Sequence, residues 1–274
     1  MTEHRSEAEE RRSRRQSTIR YGARSEEELR NRELEATSVG AWATTLTAIY
    51  ETDPDVIAAV LPPPLEPPDQ PLARITIATV DIEGLPTFGA ATVAVGAQHE
   101  GAIGDYALVM PMTTEQSVIG GRETFGEPKK LAVVTLTREG DSVTGRITRL
   151  GTTFAEVTGQ VVETLPAPPD GTRTAFYFKF LPAPDGKGFD AEPSLVYCHR
   201  DETTRLLQRV EGKVTLRESR FDPVADIPVG RIVEVTLAER RSVQRGEIVT
   251  HVPGEWLRPY VHQRYDDLSP VGED

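Results

Sequence analysis

Residues 121–132 read GRETFGEPKKLA, with Lys129 and Lys130 side by side after Pro128. The chain carries 31 Lys+Arg, yet only five are lysine: Lys129, Lys130, Lys179, Lys187 and Lys213. A lysine amine is a poor nucleophile while protonated, and its reference pKa is about 10.4. Burial among apolar groups and a neighbouring cation both favour the neutral amine. That amine attacks a ketone to give a Schiff base, and the protonated imine withdraws electrons from the adjacent carbon. C–C cleavage, loss of CO2 or loss of water then becomes feasible. Arginine cannot stand in, because its guanidinium stays protonated. Tandem lysines after a proline can also simply blunt an edge strand; their scarcity here favours the chemical reading.

Other groups near the pair can move protons. Glu127 precedes Lys129 by two residues, so on an extended segment both side chains point to one side. Arg122 and Glu123 of the Gly-Arg-Glu element are further candidates, with a structural ion pair as the alternative. The single cysteine, Cys198, is followed by His199. Adjacent strand residues face opposite ways, which speaks against a thiolate–imidazole pair.

The elements that must position these groups are mostly strands. WATTLTAIYETD alternates, and DPDVIAAVL reads as a short helix opened by Asp53 with Pro54 at its first position. The proline-rich 61–71 is a stiff surface connection to the strand ARITIATVDI. TFGAATVAVGA and DYALVMPMTT lead into the lysine segment, followed by a meander with turns at Glu139-Gly140-Asp141 and Leu150-Gly151. TAFYFKFLPAP, SLVYCHR, GKVTLRES, GRIVEVTLAERRS and GEIVTHV read as five further strands. GEWLRPYVHQRYDD is the only other helix expected. This pattern predicts a mainly β (α+β) fold, one barrel-like domain with a few short helices and a C-terminal helix.

Composition narrows the class. The net charge is −12 and the pI near 5.0, which argues against a nucleic-acid surface. No apolar run approaches a membrane span, and the N-terminus lacks an apolar signal segment. One cysteine fits a reducing cytoplasm. Residues 1–35 carry nine Arg and nine Glu, too polar to fold alone. The organisation expected is a charged, partly helical or disordered arm at 1–37, the barrel domain at 38–268 and a disordered tail at 269–274.

GRETFGEPKKLA resembles the signature of the acetoacetate decarboxylase-like superfamily, where Gly-Arg-Glu is followed by Pro-Lys-Lys-Leu. LTAIYETDPDVIAAVLPPPLEPPDQPLARITI, EGL (83–85) and GDYALVMPM (104–112) follow the family in order. VPGEWLRPYVHQRY is similar to its C-terminal helix, so the resemblance spans roughly 40–265. It implies a cone-like, mostly antiparallel β-barrel with the reactive lysine in a hydrophobic cavity. It also implies that Lys129 forms the Schiff base, that Lys130 matches the family's second lysine, and that the protein is a homo-oligomer. Acetoacetate decarboxylase itself illustrates lysine activation by a neighbouring cation, so the two lines of reasoning are not independent.

The resemblance breaks at three positions. The family's substrate-holding arginine falls at Ala43, and its glutamates fall at Thr76 and Ala90. Their loss implies imine chemistry on something other than acetoacetate. A cavity lined by Trp42, Ala43, Thr76, Phe88 and Ala90 would be larger and more apolar, suiting a bulkier oxo compound. Arg122 and Tyr106 complete the substrate-binding candidates, and Lys129, Lys130, Glu123 and Glu127 the catalytic ones. Lys129 is expected to have no carboxylate partner. The function expected is a Schiff-base lyase acting on a small carbonyl compound by decarboxylation, aldol or dehydration chemistry. It calls for no cofactor, metal, nucleic acid or membrane. The alternative is a catalytically silent member that binds an apolar ligand or serves as an oligomeric scaffold.

Overall fold

Short and bulky side chains alternate along the first strands, and this alternation determines which face encloses space and which face packs. The computed structural model describes residues 21–29, 41–82 and 86–266. Glu83-Gly84-Leu85, the tail at 269–274 and the arm outside 21–29 lie outside the described residues. The chain divides into two units, 1–39 and 40–274. In the first, Ser25 and Glu28 form a reciprocal cap: the Glu28 N–H donates to Ser25 Oγ at 3.2 Å and the Ser25 N–H to Glu28 Oε2 at 2.9 Å.

The second unit opens with β1 (Ala41–Glu51), α1 (Pro54–Val60), β2 (Leu72–Asp81), β3 (Phe88–His99) and β4 (Ala102–Met112). Then come α2 (Glu115–Phe125), β5 (Lys129–Leu131), β6 (Val133–Glu139), β7 (Ser142–Arg149) and β8 (Thr152–Leu165). The remainder is β9 (Gly171–Lys179), β10 (Ser194–Leu216), β11 (Ile232–His251), α3 (Gly254–Leu257) and a 3-10 segment, Arg258–Gln263. Asp53 caps α1 by accepting from the Asp55 N–H at 2.8 Å. The meander turns fall where expected, with positive φ at Gly140, Leu150 and Gly151.

Seven strands close into a barrel in the order β11-β1-β2-β3-β4-β9-β10, with β10 returning to β11. Every joint is antiparallel except β4–β9, a short parallel contact through Asp105↔Ala175 and Tyr106↔Phe176. The expected mainly β barrel is therefore present, with one parallel seam. On β1 to β3, Leu46, Tyr50, Ile75, Ile77, Val93 and Val95 are fully buried in a core with Val143, Ile147 and Phe154 of the β6–β8 meander. Each such side chain contributes about 1.5–3 kcal/mol through burial. The meander lies close enough that a Cβ on Gly145 would stand 2.9 Å from Ile77 Cδ1. The alternate positions are Ala43, Thr45, Thr76, Ala78, Ala90 and Thr92, too short to fill the barrel lumen.

The structure departs from the expected elements in two places. SLVYCHR and GKVTLRES are parts of one strand, β10, and GRIVEVTLAERRS and GEIVTHV parts of β11. No proline interrupts either, and β10 keeps β11 beside it while its other neighbour changes from β9 to β8. The helix α2 was not expected, since EQSVIGGRETF has two glycines, each costing about 1 kcal/mol against alanine. Its end is fixed by Gly126 (φ 79°), whose N–H reaches Arg122 O and Gly121 O.

Candidate active site

Pro128 and the left-handed Gly126 turn the chain from α2 into β5, which pairs parallel with β4 through Met110↔Lys129. This short extended stretch sends Glu127 and Lys129 to one side and Lys130 to the other. Glu127 is fully buried. Its Oε2 lies 2.7 Å from Lys129 Nζ, and the lysine side chain is 14% exposed. Arg200 Nη2 donates to Glu127 Oε1 at 3.0 Å, and Gln244 Nε2 donates to the same oxygen at 2.9 Å. Behind them Arg200 also donates to the Tyr177 hydroxyl at 3.3 Å. Burial alone would raise the Glu127 carboxyl; the Lys129 and Arg200 charges and the Gln244 hydrogen bond outweigh it and hold it below the ordinary carboxylate value.

Both groups open onto a cavity of about 380 Å³ to which all seven barrel strands contribute. Ala43, Thr76, Phe88 and Ala90 line it together with Lys129 and Glu127, and α2 covers one side through Gln116, Gly120 and Phe125. A larger open hollow, about 930 Å³ between β8, β10 and β11, holds none of the candidate residues.

Other candidates lie elsewhere. Trp42 neighbours Ala43 on β1 and faces away, carrying the Arg205 guanidinium 4.2 Å over its ring. Glu123 is exposed on α2. Arg122 is spent on backbone, donating to Lys129 O at 3.1 Å and Arg264 O at 3.3 Å. Tyr106 is a core residue that packs on Phe178 and donates to Gln263 Oε1 at 2.7 Å. Lys130 is buried on the far side of β5, donating to Phe221 O at 3.0 Å and pairing with Asp222 and Asp266, each at 3.1 Å. Lys130 therefore lies outside the cavity, as alternation along an extended segment requires, while Lys129, expected to have no carboxylate partner, is paired with Glu127.

The expectation of a more apolar cavity also fails. Arg173, Arg200, Glu202, Arg240, Ser242 and Gln244 line it from β9, β10 and β11. Arg173 faces Arg200 across β9 and β10, and Arg200 faces Gln244 across β10 and β11. The signal for them in the sequence is the alternation of polar residues along RRSVQ (240–244), which reads as a solvated face until the barrel closes. Cys198 is fully buried beneath this wall, and burial pushes its thiol pKa up, opposite to what a reactive thiolate needs. His199 turns outward to Glu247 at 3.2 Å. Among the described residues no cluster of His, Cys, Asp and Glu is arranged to hold a metal, and no helix is long and apolar enough to cross a membrane.

This geometry has relatives. The acetoacetate decarboxylase (ADC) family matches residues 28–252. The acetoacetate decarboxylase of Burkholderia cenocepacia (strain HI2424) is 29% identical over 209 residues, covering 74% of this chain and 85% of its own. A solved acetoacetate decarboxylase superposes with a TM-score of 0.70 at 24% identity, over 79% of this chain and 92% of its own. The enduracididine biosynthesis enzyme MppR, solved with the condensation product of pyruvate and imidazole 4-carboxaldehyde, gives 0.65 at 16% identity, over 77% and 88%. These two solved structures share the fold. The chain belongs to the acetoacetate decarboxylase family.

Proposed function

We propose that the protein is a Schiff-base-forming lyase acting on an oxo acid or related carbonyl compound, with Lys129 as its nucleophile. The carrying observation is the Lys129 amine on the wall of the barrel cavity, 2.7 Å from the buried Glu127 carboxylate. At rest Glu127 is ionised, so it acts first as a base. It takes a proton from the Lys129 ammonium, and the freed nitrogen attacks the substrate carbonyl carbon, passing one of its own protons to the oxygen as the carbinolamine forms. Glu127 then returns the proton to the carbinolamine hydroxyl, which leaves as water and gives the imine. The protonated imine accepts the electron pair released by C–C cleavage, CO2 loss or dehydration, and water finally regenerates the lysine.

A relative named as a decarboxylase and a fold neighbour solved with a condensation product support this range of imine chemistry. Ala43, Thr76 and Ala90, all on the cavity wall, support a substrate other than acetoacetate. The reading includes a homo-oligomer and assigns no nucleic-acid or membrane partner.

The Lys129–Glu127 ion pair itself favours a second reading, in which the lysine is a structural cation and the cavity binds without reacting. Borohydride trapping with a panel of oxo acids and ketones, followed by intact-mass analysis, separates the two. An adduct mapping to Lys129 and absent in Lys129→Ala is expected. No adduct with any carbonyl compound selects the second reading.

A further inference from the structure

Four cations and two carboxylates line the cavity: Lys129, Arg173, Arg200 and Arg240 against Glu127 and Glu202. Three of the cations are matched. Glu127 serves Lys129 at 2.7 Å and Arg200 at 3.0 Å, and Arg173 meets Glu202 at 3.0 Å and Asp105 at 3.8 Å. Arg240 has no ion pair among the described residues, and its Nε is buried with no hydrogen-bond partner. Leaving a buried donor unpaired is costly, and more so when it is charged. A guanidinium offers five donors in a planar fork shaped for a carboxylate.

No carboxylate faces Arg240 across either neighbouring strand, since its partners are Thr204 on β10 and Ala43 on β1. Arg240 faces Ala43, Ala43 faces Val80, and Val80 faces Phe88, one row across β11, β1, β2 and β3. All four residues line the cavity, so the guanidinium shares its row with apolar side chains. On its own strand, Ser242 and Gln244 follow on the same face, and Gln244 ends at Glu127. Arg240 therefore stands about 13 Å along β11 from the residue that marks the lysine, four residues at about 3.3 Å each.

We infer that Arg240 binds the carboxylate of the substrate, and that this carboxylate stands several bonds from the carbonyl that Lys129 attacks. This rests on the Schiff-base reading and deepens it by naming the substrate class, an oxo acid with a spacer between its two polar ends. A small oxo acid would leave most of the cavity empty and reach one end only.

Two measurements test it. In the first, borohydride trapping compares 2-, 3-, 4- and 5-oxo acids with their methyl esters. The acid is expected to be preferred over its ester by about ten- to hundredfold, with the preference growing with the spacer. That preference should vanish in Arg240→Gln while ester trapping is kept, and should return when Ala43→Arg is combined with Arg240→Ala. A preference unchanged in Arg240→Gln, or greatest for the 2-oxo acid, overturns the inference. In the second, calorimetry follows a saturated straight-chain monocarboxylate, which has no carbonyl and is independent of imine chemistry. Its affinity should fall at least tenfold in Arg240→Gln even if no carbonyl compound ever traps on Lys129; equal affinity overturns the inference. The Tm reports a structural role: removing an unpaired cation should leave it unchanged or raised, and a marked fall marks Arg240 as structural and overturns the inference.

Discussion

Lys129 occupies the space that a side chain on Gly121 would need. A Cβ on Gly121 would lie 2.5 Å from Lys129 Nζ and 2.1 Å from Glu127 Oε2, whereas one on the adjacent Gly120 would meet nothing within 4 Å. The helix α2 is thus kept thin at the one turn that touches the ion pair.

Substituting each glycine by alanine should give opposite results. Gly121→Ala is expected to destabilise by about 1–3 kcal/mol, since overpacking must displace the pair or the helix, and to abolish trapping on Lys129. Gly120→Ala should stabilise by about 0.4–1 kcal/mol with trapping retained. Urea unfolding and adduct mass read both, and equal behaviour of the two variants would remove the packing argument.

Glu127→Gln should separate proton transfer from binding. The amide keeps the shape but leaves Lys129 and Arg200 without their shared anion, at a cost of about 3–5 kcal/mol in stability. Adduct formation should slow by about 10²–10⁴-fold, the usual contribution of a positioned acid–base group. Trapping at the wild-type rate in the folded variant would take Glu127 out of the mechanism.

Acid should erase part of the difference between these two proteins. Glu127 is held below its ordinary value on folding, so its contribution to stability is fully present above the unfolded carboxylate pKa, about 4.3. It is lost as the pH falls through the lower, folded value. Urea unfolding of wild type and Glu127→Gln should therefore differ by a constant amount above about pH 5 and converge below about pH 4. Asp266, also lowered, is present in both proteins and drops out of the difference. A gap that is constant down to pH 3 contradicts the assignment.

Lys130 should prove structural. Lys130→Met leaves Arg149 as the one cation bridging Asp222 and Asp266. The expected loss is about 3 kcal/mol, or about 6–12 °C in Tm, with adduct formation on Lys129 retained below that temperature. Loss of trapping with the Tm intact would return Lys130 to the catalytic set.

Much of the barrel was legible because strands and turns are local. The alternation in β1 to β3, the Asp53 cap and the Gly140 and Leu150-Gly151 turns each rest on neighbours a few residues apart. The same locality placed Glu127 and Lys129 on one side and Lys130 on the other. It could not reveal α2, whose two glycines oppose a helix and whose end depends on Gly126 packed against the backbone of Lys179, where a Cβ would stand 2.6 Å from Lys179 Cα.

The sequence by itself determined the Pro-Lys-Lys segment, the mainly β fold and the short side chains at Ala43, Thr76 and Ala90 that leave a lumen. Only the tertiary structure decided the lumen's charge. Counting along one strand finds alanine at position 43 and concludes that no arginine is present, yet barrel closure sets Arg240 directly across from it. Facing residues on paired strands have Cβ atoms only about 4.5–5.5 Å apart, while in the chain these two are 197 positions apart. Which polar side chains meet Lys129 is therefore a property of strand register, and register exists only once the sheet has closed.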